Sequence, residues 1–147
     1  MDILEKLHAE HMVFKGLLKK MVESEKSAQR TRLFAQFKTK LVKHARAEEK
    51  AVYDAMTRLQ TEEPVEQSNE GYIEHELVDY MLKKLGKARN KATGEWTASI
   101  KVVKELLEHH IEEEEDEIFK TVRSDFPLDR RKAMDKTFEA WKKKVKA

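Results

Sequence analysis

Four histidines and two glutamates stand where the periodicity of their segments asks for an apolar side chain. His11 falls between Leu7 and Phe14, His44 between Leu41 and Val52, His75 between Tyr72 and Val78, and His110 between Leu107 and Ile118. Glu48 and Glu114 follow His44 and His110 by four positions. Residues four apart point the same way on a helix, so each imidazole and carboxylate can reach one ion. Nitrogen and oxygen donors of this kind suit divalent first-row cations. Whether the six side chains meet depends on the elements that carry them.

Those elements are helices. Many Leu, Lys, Glu, Ala and Met residues, with only 4 glycines and 2 prolines, describe a mostly helical chain. The first stripe runs Leu4, Leu7, Phe14, Leu18, Met21, ending near Val22. SEKSAQ breaks it, and Ser27 is the expected N-cap of a second helix, with Phe34, Phe37, Leu41, Val52, Ala55 and Leu59 along its stripe. TEEP ends that helix at Pro64. A third helix carries Tyr72, Val78, Leu82 and Leu85 as far as the Thr93-Gly94 turn. A fourth begins near Glu95, with Trp96, Ile100, Val103, Leu107, Ile118 and Val122 on its stripe, and SDFP stops it at Pro127. Residues 129–146 form a shorter amphipathic helix with Met134, Phe138, Trp141 and Val145 on one face. Four long helices with short connections predict an all-α, antiparallel up-down-up-down four-helix bundle over about residues 2–126, with a short C-terminal fifth helix. At 147 residues the chain is expected to form a single domain.

In antiparallel neighbours two residues share a level when the turn lies midway between them. The midpoint of His11 and His44 falls at 27–28, in SEKSAQ; that of Glu48 and His75 at 61–62, in TEEP; that of His75 and His110 at 92–93, in NKATG. The six donors therefore meet at one height in the core. A shift of 66 lays HARAEEKAVY (44–53) over HIEEEEDEIF (110–119), and a shift of 64 lays EHMVFKGLLKKM (10–21) over EHELVDYMLKKL (74–85). Two similar helical hairpins around a pseudo-twofold axis suit a pair of cations better than one. An unpartnered buried imidazole or carboxylate costs roughly a few kcal/mol, set against about 5–15 kcal/mol of net stability for a domain. For one histidine, a hydrogen bond to a core neighbour is a sufficient account. For six at one level, a cation supplies the compensation. A dry hydrogen-bonded His–Glu network is the alternative that spacing leaves open.

Composition removes other classes. The chain has no cysteine, which excludes disulfides, zinc–thiolate sites, iron–sulfur clusters and thiol catalysis. A formal net charge of +2 provides no field that demands nucleic acid or a membrane surface, and Lys142, Lys143, Lys144 and Lys146 are too few to make a nucleic-acid face. MDILEKLHAEHMVF has no signal-peptide core and no run approaches a membrane span, so the expected compartment is the cytoplasm. His8 and His109 flank their stripes and read as surface or supporting residues. Tyr53, Tyr72 and Trp96 read as packing residues, with Tyr72 the best candidate for a hydroxyl near the site. The acidic run 112–117 reads mainly as a solvated face, with the second reading that it draws metal ions toward the site.

The pattern of one His on the first helix, His-x-x-x-Glu on the second, His on the third and His-x-x-x-Glu on the fourth resembles the hemerythrin-like, or HHE cation-binding, domains. EH in the first helix, EE followed by VY in the second, and EE followed by IF before a proline in the fourth are similar to that family. The resemblance implies a non-haem di-iron centre, with Glu48 and Glu114 bridging, an oxo or hydroxo group completing the bridge, and His11, His44, His75 and His110 as terminal ligands. It implies dioxygen or another small diatomic molecule as ligand. Manganese or zinc are possible substitutes for iron at such donors. The sequence departs from the oxygen carriers on the third helix, where His75 is followed by Asp79 rather than a second histidine. Aspartate lies on the right face to take that ligand place, and being hard and anionic it would favour the ferric state. A role in binding or sensing oxygen or redox state, or in handling iron, follows more readily than reversible transport. The alternatives are an oxidase- or peroxidase-type enzyme using the same centre, and a metal-free interaction bundle. Nothing in the sequence fixes the oligomeric state; a monomer is one expectation.

Overall fold

The computed structural model describes residues 1–147. The helical stripes fold into five rods: α1 (Ile3–Glu23), α2 (27–58), α3 (Glu62–Lys87), α4 (94–125) and α5 (Leu128–Lys144), with no strand. α2 and α4 are interrupted by one π-helical turn each, Glu49–Tyr53 and Glu114–Ile118. Asp2 caps α1 by accepting the Glu5 N–H at 3.0 Å, and Thr93 caps α4 by accepting that of Trp96 at 3.1 Å. Pro64 is the third residue of α3, inside the first turn, where its missing N–H breaks no helical bond.

Ser27 departs from its expected role. The N-cap of α2 is Lys26, without a side-chain hydrogen bond, and Ser27 opens the helix itself. Its hydroxyl accepts the Lys91 N–H at 2.9 Å, tying this corner to the loop between α3 and α4. Arg30 completes the corner. It is buried, and donates from Nε to the Met21 carbonyl at 3.0 Å and from Nη1 to the Lys91 carbonyl at 2.9 Å. A cation with no carboxylate beside it is stabilised here by carbonyls at the end of α1 and in the loop.

The four long rods form an antiparallel ring in which α1 packs on α2 and α4, and α3 on α2 and α4. α5 lies across α1 and α2, anchored by fully buried Phe138 and by Met134. The apolar core comes in two clusters. One gathers Ile3, Leu7, Val52, Met56, Phe119 and Val122 around the α5 anchors. The other gathers Phe14, Leu18, Phe37, Leu82, Ile100 and Val103. Between them, along α1, α2 and α4, falls the His and Glu layer, and on α3 His75 immediately precedes the second cluster. No helix is long and apolar enough to cross a membrane.

Candidate metal centre

α1 supplies His11, α2 His44 and Glu48, α3 His75, and α4 His110 and Glu114, and none of the six is more than 6% exposed. The Glu48 carboxylate lies 3.1 Å from His75 Nε2 through Oε1 and 3.8 Å from His44 Nε2 through Oε2. Glu114 repeats the arrangement, 3.2 Å from His11 Nε2 through Oε1 and 3.4 Å from His110 Nε2 through Oε2. The histidines pair across the axis. His11 and His44 have ring centroids 5.3 Å apart at 58°, and His75 and His110 5.2 Å apart at 59°. Each carboxylate thus spans from one histidine pair to the other. Donor atoms of His11, His44, Glu48 and Glu114 all lie within 4.8 Å of one another, as do those of Glu48, His75 and His110. Two cation positions sharing Glu48 fit this donor set.

Each imidazole is oriented by a carboxylate on another element. Nδ1 of His11 bonds to Glu115 at 2.6 Å, of His44 to Glu10 at 2.9 Å, of His75 to Glu49 at 2.7 Å and of His110 to Glu74 at 2.8 Å. A carboxylate only accepts, so each Nδ1 carries the proton, and the neutral ring then turns the Nε2 lone pair inward. Both oxygens of Glu48 and Oε1 of Glu114 accept no hydrogen bond although fully buried. Lone pairs therefore face lone pairs, an arrangement that a positive charge resolves and that a dry hydrogen-bonded network with these tautomers does not. Burial opposes the charged forms of His11, His75 and His110, but the carboxylates of Glu114 and Glu48 beside their Nε2 atoms favour a second ring proton, outweigh burial and raise all three pKa values. Burial, followed by the charge of Glu114, raises Glu48. On Glu114 burial is outweighed by His11 and His110, which stand ready to donate from Nε2 when protonated, and its pKa falls well below the usual carboxylate range. The layer attracts positive charge, as protons or as metal.

A family model of the hemerythrin HHE cation-binding domain matches residues 2–122. The chain belongs to the hemerythrin HHE family. No curated protein and no solved structure matches it. The family match covers all four rods of the hemerythrin bundle except the last residues of α4, and α5 lies outside it.

The hemerythrin site sits where both long second rods of the hairpins change pitch. The Asp54 N–H reaches the Glu49 carbonyl and the Phe119 N–H the Glu114 carbonyl, both five residues back. Such turns often mark functional sites. Here the wider turn lets consecutive residues face inward: Glu48 points at the site, Glu49 at His75, and Ala51, Val52 and Tyr53 into the core. Tyr53, rather than Tyr72, supplies the hydroxyl. It is fully buried and donates to Glu114 Oε2 at 2.7 Å, whereas Tyr72 donates to Asp54. Burial and the charges of Glu114 and Glu48 push its pKa well up, so the phenol stays a donor. Gly71 makes room for it, since a Cβ there would stand 2.6 Å from two carbons of the Tyr53 ring. Under the 66-residue shift the counterpart of Tyr53 is Phe119, so only Glu114 receives a hydroxyl and the two carboxylates become inequivalent.

Asp79 stands apart from the other six. Its carboxylate pairs with Arg46 Nη1 at 2.9 Å, its side chain is 34% exposed, and it belongs to neither donor group. Arg46 also holds Glu49 at 3.1 Å, so one guanidinium bridges Asp79 to the carboxylate behind His75. His8 is exposed and bonds to Glu115, the partner of His11; His109 is exposed and pairs with Glu113. Glu10, Glu49, Glu74 and Glu115 were not singled out from the sequence. Their signal was there, because the repeat matches EH at 10–11 with EH at 74–75 and EE at 48–49 with EE at 114–115. A cavity of about 20 Å³ lies beside the imidazoles, lined by Phe14, Leu41, Val78, Leu107 and Ile111 and also by Glu74 and Asp79. That is room for about one water-sized molecule.

Proposed function

We propose that this hemerythrin domain holds two iron ions and uses them to bind or sense dioxygen, or another small diatomic molecule, or to handle iron. The observation that carries the reading is the buried ring of four Nε2 lone pairs and two carboxylates with unpartnered oxygens. Glu48 and Glu114 would each bridge both ions, and the four histidines would be terminal ligands. Manganese or zinc would suit the same donors. Iron, when bound, supplies redox chemistry that side chains lack.

The chain's own residues provide the rest. Glu10, Glu49, Glu74 and Glu115 hold the imidazoles in the ligating tautomer and make the nitrogens more basic. Tyr53 directs a hydroxyl at Glu114 and withdraws negative charge from one bridge. Phe14, Leu41, Val78 and Leu107 keep bulk water from the small cavity while leaving space for a diatomic guest. Asp79 is paired with Arg46 at the edge of the small cavity, so the four histidines, Glu48 and Glu114 are the side chains that would hold the metal.

Anaerobic reconstitution with ferrous iron, followed by air, tests this reading. The expected result is about two irons per chain and a stable, oxygen-dependent absorption band. Glu48→Ala and Glu114→Ala each lower the stoichiometry toward one or none, while Asp79→Asn leaves it at two. Continuing oxygen or peroxide consumption would make the protein an enzyme instead, and failure to take up iron would leave an interaction bundle. Two irons and an unchanged spectrum in both glutamate variants would refute the bridging roles.

A further inference from the structure

The two hairpins are alike at the metal layer but differ on their outer faces. On the α1–α2 side, α5 covers the groove, and Lys142 pairs with Glu10 while Lys6 pairs with Glu139 at 2.8 Å. The corresponding groove between α3 and α4 carries no fifth helix. It forms a narrow cleft of about 10 Å³ lined by Gln67, Glu70, Glu74, Glu113 and Glu117, with Glu114, His110 and Ile118 at the site.

The repeat makes the contrast specific. A shift of 64 sets Lys6 against Glu70, and a shift of 66 sets Ala47 and Ala51 against Glu113 and Glu117. One lysine and two small buried residues on the closed side thus become three carboxylates on the open side. No lysine or arginine lies within 4.0 Å of Glu66, Glu70, Glu74, Glu113 or Glu117; Glu113 and Glu74 meet only histidines. Burial and the charges of Glu66, Glu113, Glu74 and Glu117 raise the pKa of Glu70. A solvated acidic face explains exposed charge, but not its path to a ligand. Glu114, which lines the cleft, is 1% exposed and its Oε1 accepts no hydrogen bond; the Gln67 Oε1 beside it is also buried and unpartnered.

We propose that the cleft of Glu70, Glu74, Glu113 and Glu117 is the route by which a divalent cation reaches Glu114 and His110. The inference rests on the metal-binding reading above. The outer carboxylates concentrate the cation at the mouth, Glu74 and Glu113 pass it inward, and Glu114 receives it. Clefts lined by one sign of charge raise the local concentration of counter-ions and their on-rates by about 10 to 10³-fold. α5, with Lys142, closes the other side to cations.

The test is stopped-flow loading with cobalt(II), read by its visible absorption, in wild type and in the triple variant Glu70→Gln, Glu113→Gln, Glu117→Gln. Glu74 is spared because it orients His110. A control triple variant, Glu5→Gln, Glu25→Gln, Glu105→Gln, removes equal charge from exposed positions elsewhere. At low ionic strength the cleft variant should load about ten-fold more slowly than wild type and the control variant close to the wild-type rate, with the same final metal content in all three. The difference should vanish at about 1 M salt, where charges are screened within about 3 Å. Glu117→Gln alone should give a smaller slowing in the same direction. Equal rates in cleft variant and wild type, or equal slowing in the control, would overturn the route while leaving the metal centre standing. A lower final metal content in the cleft variant would also overturn it, by making these carboxylates ligands. No uptake by wild type would overturn the metal-binding reading and the route together.

Discussion

Gly71→Ala sets two physical effects of opposite sign against each other. Residue 71 lies inside α3, where replacing glycine with alanine ordinarily stabilises a helix by about 1 kcal/mol. Here the new Cβ would stand 2.6 Å from Cε2 and Cζ of Tyr53 and 2.8 Å from its hydroxyl oxygen. Carbon atoms pack best at about 3.5–4.0 Å, so the ring must retreat by about 1 Å. Tyr53 is fully buried and its hydroxyl bonds to Glu114 at 2.7 Å. Overpacking a core of this kind costs about 1–3 kcal/mol, and a lost hydrogen bond to a charged group about 1.5–3 kcal/mol. Partial loss of each, less the helix gain, leaves a net destabilisation of about 2 kcal/mol. For a chain of this size that is a fall in Tm of about 4–8 °C. Urea titration and thermal unfolding of the metal-free protein read the change. In a Tyr53→Leu background the three crowded atoms are gone, so the same substitution should become stabilising. A Gly71→Ala protein more stable than wild type by the helix increment would refute the packing argument and with it the placement of the Tyr53 hydroxyl on Glu114.

Gln60 adopts φ 58° in the turn between α2 and α3, a left-handed conformation that costs a non-glycine residue about 1 kcal/mol. Gln60→Gly should therefore raise the unfolding free energy read from urea titration slightly, by less than about 1 kcal/mol after the added freedom of the unfolded chain is subtracted; a lower value would contradict this. The contact between α5 and α1 should show in the pH dependence of stability. A hydrogen bond from Lys6 holds the Glu139 carboxyl below its ordinary 4.5, and Glu139 holds Lys6 above its ordinary 10.5 against the opposing effect of burial. A depressed carboxyl stabilises above its unfolded value and loses that contribution as pH falls through the folded one. A raised ammonium stabilises below its unfolded value and loses it as pH rises through the folded one. Glu139→Gln should flatten both limbs, below about 4.5 and above about 10.5, in urea midpoints measured across pH; unchanged slopes would show that the pair contributes nothing.

The sequence by itself determined which residue types fill the polar layer and that they share a height. Helical period and loop position are local properties: the hole at His11 in the Leu7–Phe14 stripe, the four-residue step from His44 to Glu48 and the turn midpoints need no knowledge of how helices rotate against each other. The duplicated hairpin was equally legible, as was the fifth helix. Tertiary structure decided everything that depends on rotation and on partners far along the chain. Arg46, 33 residues before Asp79, draws that carboxylate aside. Ser27 gives up its cap for Lys91, 64 residues on. Each imidazole takes its orienting carboxylate from a different helix, and a π turn brings Glu48 and Glu49 inward together, a geometry that a 3.6-residue period does not contain. The amphipathic stripe of α5 said that it must dock; only the packed bundle showed that it covers α1 and α2, and so leaves the carboxylates of the second hairpin open to solvent.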